Sequence, residues 1–318
     1  MEVTPSMSDG LRIVFAPGGG AGGAGIAEAL SAVEGVSNVA APDTDGVLAA
    51  LDGIEVLVAF RWSDDWLGQD LRWIQAVSAG TDQFPVDALG KAGVVLTSAV
   101  GIHDVQVSEH AFGLLLAMTR GIGTSVRNQV GREWRWPQPV VDLAGMTLGV
   151  LGLGVIGEAV ASRAKAFGME VIGTKRSLDG YAGAADEVFG PEATLEVFRR
   201  ADAVVVTLPA TRETAGIVGS AEFEALQGGF FVNVGRGGVV DQAALVAALR
   251  SGLLRGAGLD VFEEEPLPES SPLWDFPEVI VSPHLAGLSP RYGERLAELF
   301  AKNLSAFTGD AEWTNRVV

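Results

Sequence analysis

The sequence predicts an α/β protein with two Rossmann-like or flavodoxin-like domains, each a doubly wound parallel sheet. Three observations predict it. Short β-branched runs alternate with alanine-rich amphipathic segments along the chain, the pattern of βαβ units. A length of 318 residues suits two separate cores, and a hydrophobic content of 48% suits dense packing. A glycine-rich turn, Gly152-Leu-Gly-Val-Ile-Gly157, stands between a strand pattern and a helix pattern.

Taken in order, a first strand is expected at 12–16, then a glycine-rich run at 18–25 and a helix at 26–33. Strands at 54–59, 73–77 and 94–97 follow, rich in branched or aromatic residues. The segment 105–120 is apolar around much of its circumference, which reads as a buried crossover helix. Beyond it come strand 147–151, the glycine turn, helix 158–167 and strand 170–174. Helix 194–199, strands 203–207 and 229–233, helix 242–251 and strands 256–260 and 279–281 complete the alternation. Asp241 stands where the N-cap of helix 242–251 belongs. A helix at 291–309 ends the chain. The expected domains are 1–100 with 285–318, and 101–284, so the chain crosses twice and leaves a hinge and a cleft.

Composition excludes several classes of function. A net charge of −18 disfavours nucleic acid, since a polyanion would be repelled. No uncharged apolar run reaches the ~18–20 residues of a membrane span, and residues 1–10 read as a polar leader rather than an export signal. The absence of cysteine excludes disulfides, thiol catalysis and thiolate metal sites, and suits a reducing cytoplasm. No metal is expected.

Two glycine runs compete for a phosphate. Gly18, Gly20 and Gly23 satisfy the spacing G-x-G-x-x-G, as do Gly20, Gly22 and Gly25, with Asp43 at the distance of a ribose contact. The second run, Gly152, Gly154 and Gly157, follows strand 147–151 and opens helix 158–167. The chemistry-bearing residues all follow it. It is the expected dinucleotide site, with the backbone of Val155 and Ile156 turned to the pyrophosphate. Run 18–25 is expected to be a flexible turn.

Strand 170–174 ends at Thr174 and is followed by Lys175 and Arg176, where an NAD-preferring site places a carboxylate. Two cations there would pair with a 2′-phosphate, each charge-assisted bond contributing ~1.5–3 kcal/mol. The expected cofactor is therefore NADP(H), with NAD(H) possible.

Downstream, three short stretches supply an arginine, a carboxylate and an imidazole: Arg236, Glu265 and His284. These are the parts needed to deliver a hydride to the carbonyl of a 2-oxo acid. Arg236 would hold the carboxylate of the acid. His284, as imidazolium, would donate a proton to the carbonyl oxygen. Glu265, on the other ring nitrogen, would fix its orientation and favour its charged form. Of the three histidines, His103 and His110 read instead as structural, with His103 near enough to the domain junction to approach a substrate.

At these residues the chain resembles the D-isomer-specific 2-hydroxyacid dehydrogenase family. The motifs are Ala76-Val-Ser-Ala-Gly-Thr-Asp82, the glycine turn, Thr207-Leu-Pro-Ala-Thr-Arg-Glu-Thr214, Asn233-Val-Gly-Arg-Gly-Gly-Val-Val-Asp241, Gly258-Leu-Asp-Val-Phe-Glu-Glu-Glu-Pro-Leu-Pro268 and Ser282-Pro-His-Leu-Ala-Gly287. The resemblance implies a cofactor domain (101–284) inserted into a discontinuous substrate domain, a homodimer and a D-2-hydroxy acid product. It further implies that Ser78, Ala79, Gly80 and Thr81 form the turn that binds the substrate carboxylate. On the cofactor side it implies Leu208, Pro209, Thr214, Val234, Gly235, Ala286 and Gly287, with Asp260 orienting the nicotinamide amide. Glyoxylate and hydroxypyruvate are the first expected substrates and bulkier 2-oxo acids the second. Arg61, Trp62, Trp134, Trp136, Pro137 and Leu285 are candidates for pocket or dimer contacts, with simple core or dimer packing the plainer reading of the tryptophans.

Two other readings compete. The same fold serves nucleotide-sensing corepressors, against which the acidic surface and the lack of long extensions argue. Formate or phosphite oxidation is the other. A formate enzyme pairs its histidine with glutamine, and Glu265 argues against that.

Overall fold

The computed structural model describes residues 10–16, 23–40, 46–136 and 140–318. Asp43, Pro137 and most of the run 18–25 lie outside the described residues. The chain divides into two compact units, Met1–His103 with Ser289–Val318, and Asp104–Leu288.

In the first unit, β1 (Leu11–Ala16), β2 (Val36–Ala40), β3 (Val56–Ala59), β4 (Trp73–Ala76) and β5 (Val95–Thr97) form one parallel sheet, ordered β2-β1-β3-β4-β5. Side chains of a strand alternate between faces, and both faces here are apolar. Ile13, Phe15, Val56, Val58 and Trp73 pack against Leu30 of helix Gly23–Ser31 and Leu296, Phe300 and Leu304 of helix Tyr292–Phe307. Val14, Leu57, Ile74 and Leu96 pack on the opposite face with Val47, Leu51 and Leu89. Trp73 stacks on Phe300 at 4.7 Å between centroids. Each such large side chain, fully buried, contributes ~1.5–3 kcal/mol.

The second unit holds seven strands: β6 (Thr147–Leu151), β7 (Glu170–Thr174), β8 (Glu187–Phe189), β9 (Ala203–Val206), β10 (Phe230–Asn233), β11 (Gly256–Leu259) and β12 (Val279–Val281). All pair in parallel, in the order β12-β11-β10-β9-β6-β7-β8. The chain runs outward from β6 through β7 to β8, then returns to β9 on the other side of β6. That reversal makes the β6–β9 junction a topological switch point, where open α/β sheets bind ligands beyond the carboxyl ends of their strands. Leu148, Val150, Val205 and Val232 pack on one face with helices Asp104–Thr119 and Val155–Ala166. Leu151, Val204, Phe231 and Leu259 pack on the other with helices Thr194–Arg200 and Gln242–Arg250. Asp241 caps the latter, its side chain accepting from the Ala244 amide at 2.9 Å.

Helix Asp104–Thr119 lies close on the sheet because β11 is glycine-rich at the contact. A Cβ at Gly258 would sit 2.8 Å from Leu114, and one at Gly256 3.0 Å from Met118. Among the described residues, no helix is long and apolar enough to cross a membrane.

Candidate active site

The residues that carry chemistry gather beyond the carboxyl ends of β6, β9, β10, β11 and β12, which are consecutive in the sheet. The glycine turn leaves β6 with Gly152 at φ +97°. Two threonines stitch it in place. Thr174 accepts from the Gly152 amide at 3.3 Å, and Thr207 donates to the carbonyls of Leu151 and Gly152 at 3.1 and 2.8 Å. Gly157 lets the helix start against this turn, since a Cβ there would lie 2.1 Å from the Gly152 carbonyl oxygen. At Gly154 a Cβ would meet nothing within 4 Å, so the backbone faces open space. Val155 begins the helix, and its first-turn amides have no acceptor inside the helix. An open glycine before a helix N-terminus is a cradle that fits a pyrophosphate.

Arg236 follows β10 and is held by a turn that Asn233 wraps. Asn233, 1% exposed, accepts from the Gly235 amide at 3.0 Å and donates to the Arg236 carbonyl at 3.1 Å. The neighbouring Gly237 brings this turn against the segment after β11, where a Cβ would overlap the Phe262 carbonyl. Glu265 stands in that segment. One carboxylate oxygen accepts from the Phe262 amide at 2.9 Å, and the other lies 2.6 Å from Nδ1 of His284. An ionised carboxylate can only accept, so Nδ1 carries the proton of this contact and Nε2 is not used by it. Both side chains remain partly in solvent, at 48% for His284 and 34% for Glu265.

His284 is itself in an unusual backbone state, φ +51°. Its amide donates to the Asp260 carbonyl at 2.9 Å. The Asp260 side chain grips the same segment. One oxygen accepts from Ser282 at 2.6 Å and from the Leu285 amide at 3.0 Å, and the other from the Ala286 amide at 3.0 Å. Burial alone would raise this carboxyl. The adjacent His110 ring and the hydrogen bonds from Ser282 and the two amides outweigh it and hold the group below the ordinary carboxylate range. The sequence motif assigned Asp260 to a nicotinamide amide; its internal role as an anchor was not legible there.

The profile described as D-isomer specific 2-hydroxyacid dehydrogenase, NAD binding domain, matches residues 112–286. The chain belongs to the D-isomer-specific 2-hydroxyacid dehydrogenase family. It is accordingly an oxidoreductase acting on CH–OH donors, with a nicotinamide-nucleotide domain. A glyoxylate reductase from Aeropyrum pernix is 34% identical over 271 residues, covering 80% of this chain and 79% of that protein. A crystal structure of a D-isomer specific 2-hydroxyacid dehydrogenase family protein from Aeromonas salmonicida superposes with a TM-score of 0.84 at 30% identity, covering 98% of this chain and 99% of that one. The NADPH-dependent glyoxylate/hydroxypyruvate reductase of Sinorhizobium meliloti, solved with citrate, has a TM-score of 0.81 at 28% identity, over 97% of this chain and 98% of that one.

In this dehydrogenase the cation pair after β7 is less uniform than its sequence suggests. Lys175 donates to the Leu153 carbonyl of the glycine turn and lies 6.0 Å from the Tyr181 ring centroid. Arg176 is exposed. Thr174 is 4% exposed and serves the turn through its hydroxyl. Across the switch point, Thr214 donates to the Pro209 carbonyl at 2.6 Å and closes the loop that begins at Leu208. Gly235 admits that loop, since a Cβ there would lie 2.6 Å from the Leu208 carbonyl oxygen. Val234 is buried, and Gly287 accepts from Gln106 at 3.3 Å.

The turn Ser78-Ala79-Gly80-Thr81 belongs to the first unit. Ser78 donates to the Gly80 carbonyl at 2.6 Å and accepts from Gln83 at 2.8 Å, which shapes the turn from within. His103 lies 3.2 Å from the Ala99 carbonyl and edge-on to Tyr292 at 5.4 Å between centroids, a structural setting. Trp62 packs on Trp66 at 5.7 Å and Phe84 at 6.4 Å. Trp134 and Trp136 are 97% and 86% exposed, which removes core packing from the readings of these two tryptophans. They follow helix Ile122–Val130, none of whose residues is buried.

Proposed function

We propose that this dehydrogenase reduces a small 2-oxo acid, glyoxylate or hydroxypyruvate before bulkier ones, to the D-2-hydroxy acid with NADPH. The observation that carries this reading is the 2.6 Å contact of Glu265 with Nδ1 of His284. A fixed acid–base pair of this kind suits proton delivery to a carbonyl oxygen. Gly152, Gly154, Val155, Ile156 and Gly157 would hold the nucleotide, which when bound would supply a hydride. Negative charge then grows on the carbonyl oxygen, and Nε2 of His284 gives it a proton. Glu265 holds the ring by its other nitrogen and offsets the charge the ring carries before transfer. Arg236 pairs with the substrate carboxylate, a bidentate contact that fixes C2 as well as binding it. Ser78, Ala79, Gly80 and Thr81 supply further amides to that carboxylate. Leu208, Pro209, Thr214, Val234, Gly235, Ala286 and Gly287 would contact the nucleotide, and Asp260, whose oxygens are taken by Ser282 and the Leu285 and Ala286 amides, would act on the nicotinamide side by holding that segment.

Preference for NADPH rests on Lys175 and Arg176 standing where a carboxylate would serve NAD. NAD(H) remains a weaker substrate. The unit Asp104–Leu288 is the nucleotide domain in this reading, and Met1–His103 with Ser289–Val318 the substrate domain. A homodimer is also part of it. Helix Ile122–Val130 buries none of its residues and presents Ile122, Val126 and Val130 at helical spacing, 51, 56 and 85% exposed. A cytoplasmic setting suits a chain without cysteine.

The test is a panel of glyoxylate, hydroxypyruvate, phenylpyruvate, formate and phosphite, the keto acids with NADPH or NADH and the last two with NADP or NAD. Turnover of a keto acid, faster with NADPH, is expected. Oxidation of formate or phosphite alone would overturn the reading, and binding of nucleotide without any turnover would favour a sensor.

A further inference from the structure

His110 takes no part in the chemistry proposed above, yet it lies at the root of the segment that carries His284. It projects from helix Asp104–Thr119, with its side chain 20% exposed. Its Nε2 lies 2.8 Å from Ser282 Oγ and 3.4 Å from Asp260 Oδ1. Ser282 has one proton to give, and the 2.6 Å contact to Asp260 takes it. Ser282 Oγ must therefore accept from His110, so the ring carries its hydrogen on Nε2. A chain of bonds follows, from His110 to Ser282 to Asp260, and from Asp260 to the amides of Leu285 and Ala286. Ser282 lies two residues before His284, and the two amides lie just after it. Both flanks of His284 are thus tied to one carboxylate, and His110 supplies that carboxylate's link to the crossover helix.

We propose that His110 is a positioning residue: through Ser282 and Asp260 it holds the backbone on both sides of His284, keeping the imidazole aimed for proton transfer. The need for such a clamp is visible in the backbone. His284 is one of three described non-glycine residues with positive φ. A conformation of this kind persists only where its surroundings over-determine it. The buried Asp260, 1% exposed, is well suited to the purpose, since an ionised carboxylate accepts several bonds at once. The proposal rests on the reductase reading for its catalytic consequence, but not for the clamp itself.

The experiment uses three variants of the full chain, His110→Phe, His110→Gln and Ser282→Ala, with two readouts. Amide hydrogen exchange across 284–286 reads the clamp without substrate. Steady-state kinetics with a keto acid and NADPH read its consequence. In His110→Phe, exchange of these amides should accelerate by about tenfold or more while distant helices keep their protection. Its kcat should fall roughly ten- to hundredfold with the KM for NADPH within about threefold, as a misaimed donor predicts. His110→Gln retains a donor near the position of Nε2 and should recover most of both. Ser282→Ala removes the same link without a large change of volume, and it stands in for His110→Phe if that variant does not fold. Unchanged exchange in the donor-less variants overturns the clamp. Accelerated exchange with wild-type kcat overturns its catalytic role, as does equal impairment of the Phe and Gln variants. A wild-type enzyme that turns over no keto acid refutes the reductase reading instead, and the exchange data then judge the clamp alone.

Discussion

The β11–β12 end of the second sheet and the β7 end face the same nucleotide-binding edge but are held in opposite ways. At β11–β12, Asp260, Ser282 and the amides around His284 satisfy one another, and Glu265 is bonded on both oxygens. At β7, Arg176 projects into solvent and Lys175 keeps one bond to the glycine turn. Rigid geometry is needed where a proton moves, because misalignment costs rate directly. It is not needed where a charge merely meets a phosphate, since a long flexible side chain can find it. The first end should therefore control turnover and the second affinity.

The sharpest way to break this contrast is His284→Ala. Turnover should fall on the order of 10²- to 10⁴-fold while NADPH affinity, measured by fluorescence titration, changes only a few-fold. Equal losses in both would end the division of labour. Next in size, Gly157→Ala places a methyl group 2.1 Å from the Gly152 carbonyl oxygen. It should weaken NADPH binding by roughly a hundredfold, because a packed backbone cannot yield that far. Glu265→Gln keeps the shape of the pair and removes its charge. A loss in kcat of about ten- to hundredfold is expected, with KM for NADPH unmoved.

At the other end, Arg176→Asp should raise the KM for NADPH by roughly tenfold and leave kcat nearly intact. An unchanged NADPH/NADH preference would remove Arg176 from the specificity argument. The smallest effect concerns pH. The Asp260 carboxyl titrates below its ordinary value, so its contribution to stability is present above the unfolded pKa of ~3.9 and fades as pH falls through the folded value. Chemical denaturation of wild type and Asp260→Asn should therefore differ most near neutrality and converge in acid below that range.

Much of this was legible in the sequence, and the particulars explain why. The strands Thr147–Leu151, Glu170–Thr174 and Val279–Val281 occupy the expected bounds, since branched residues between turn residues leave little choice. The strand Val36–Ala40 escaped notice because Ser37 and Asn38 interrupt it at a sheet edge, where both are exposed. Strand Glu187–Phe189 is a three-residue edge with no buried residue. Helix Ile122–Val130 offers only Ile122, Val126 and Val130 as an apolar period, all three exposed, with Gly123 and polar residues between them. At the site, motif spacing picked out Arg236, Glu265 and His284, because each stands in a short local signature. The Asp260 cluster was invisible, since His110 and Ser282 lie 172 residues apart in the chain. Thr207 was likewise quoted as part of a motif without a role, and only its bonds to the glycine turn reveal one.

The two compact units divide the candidate residues between them. Arg236, Glu265 and His284 all fall within Asp104–Leu288, whereas Ser78-Ala79-Gly80-Thr81 falls in the other unit, and two junctions join them. On the proposed reading, a chimera that grafts a relative's residues onto 1–103 and 289–318 should import that relative's choice of acid and keep this chain's way of protonating it. Selectivity and chemistry, in such a layout, can be inherited separately.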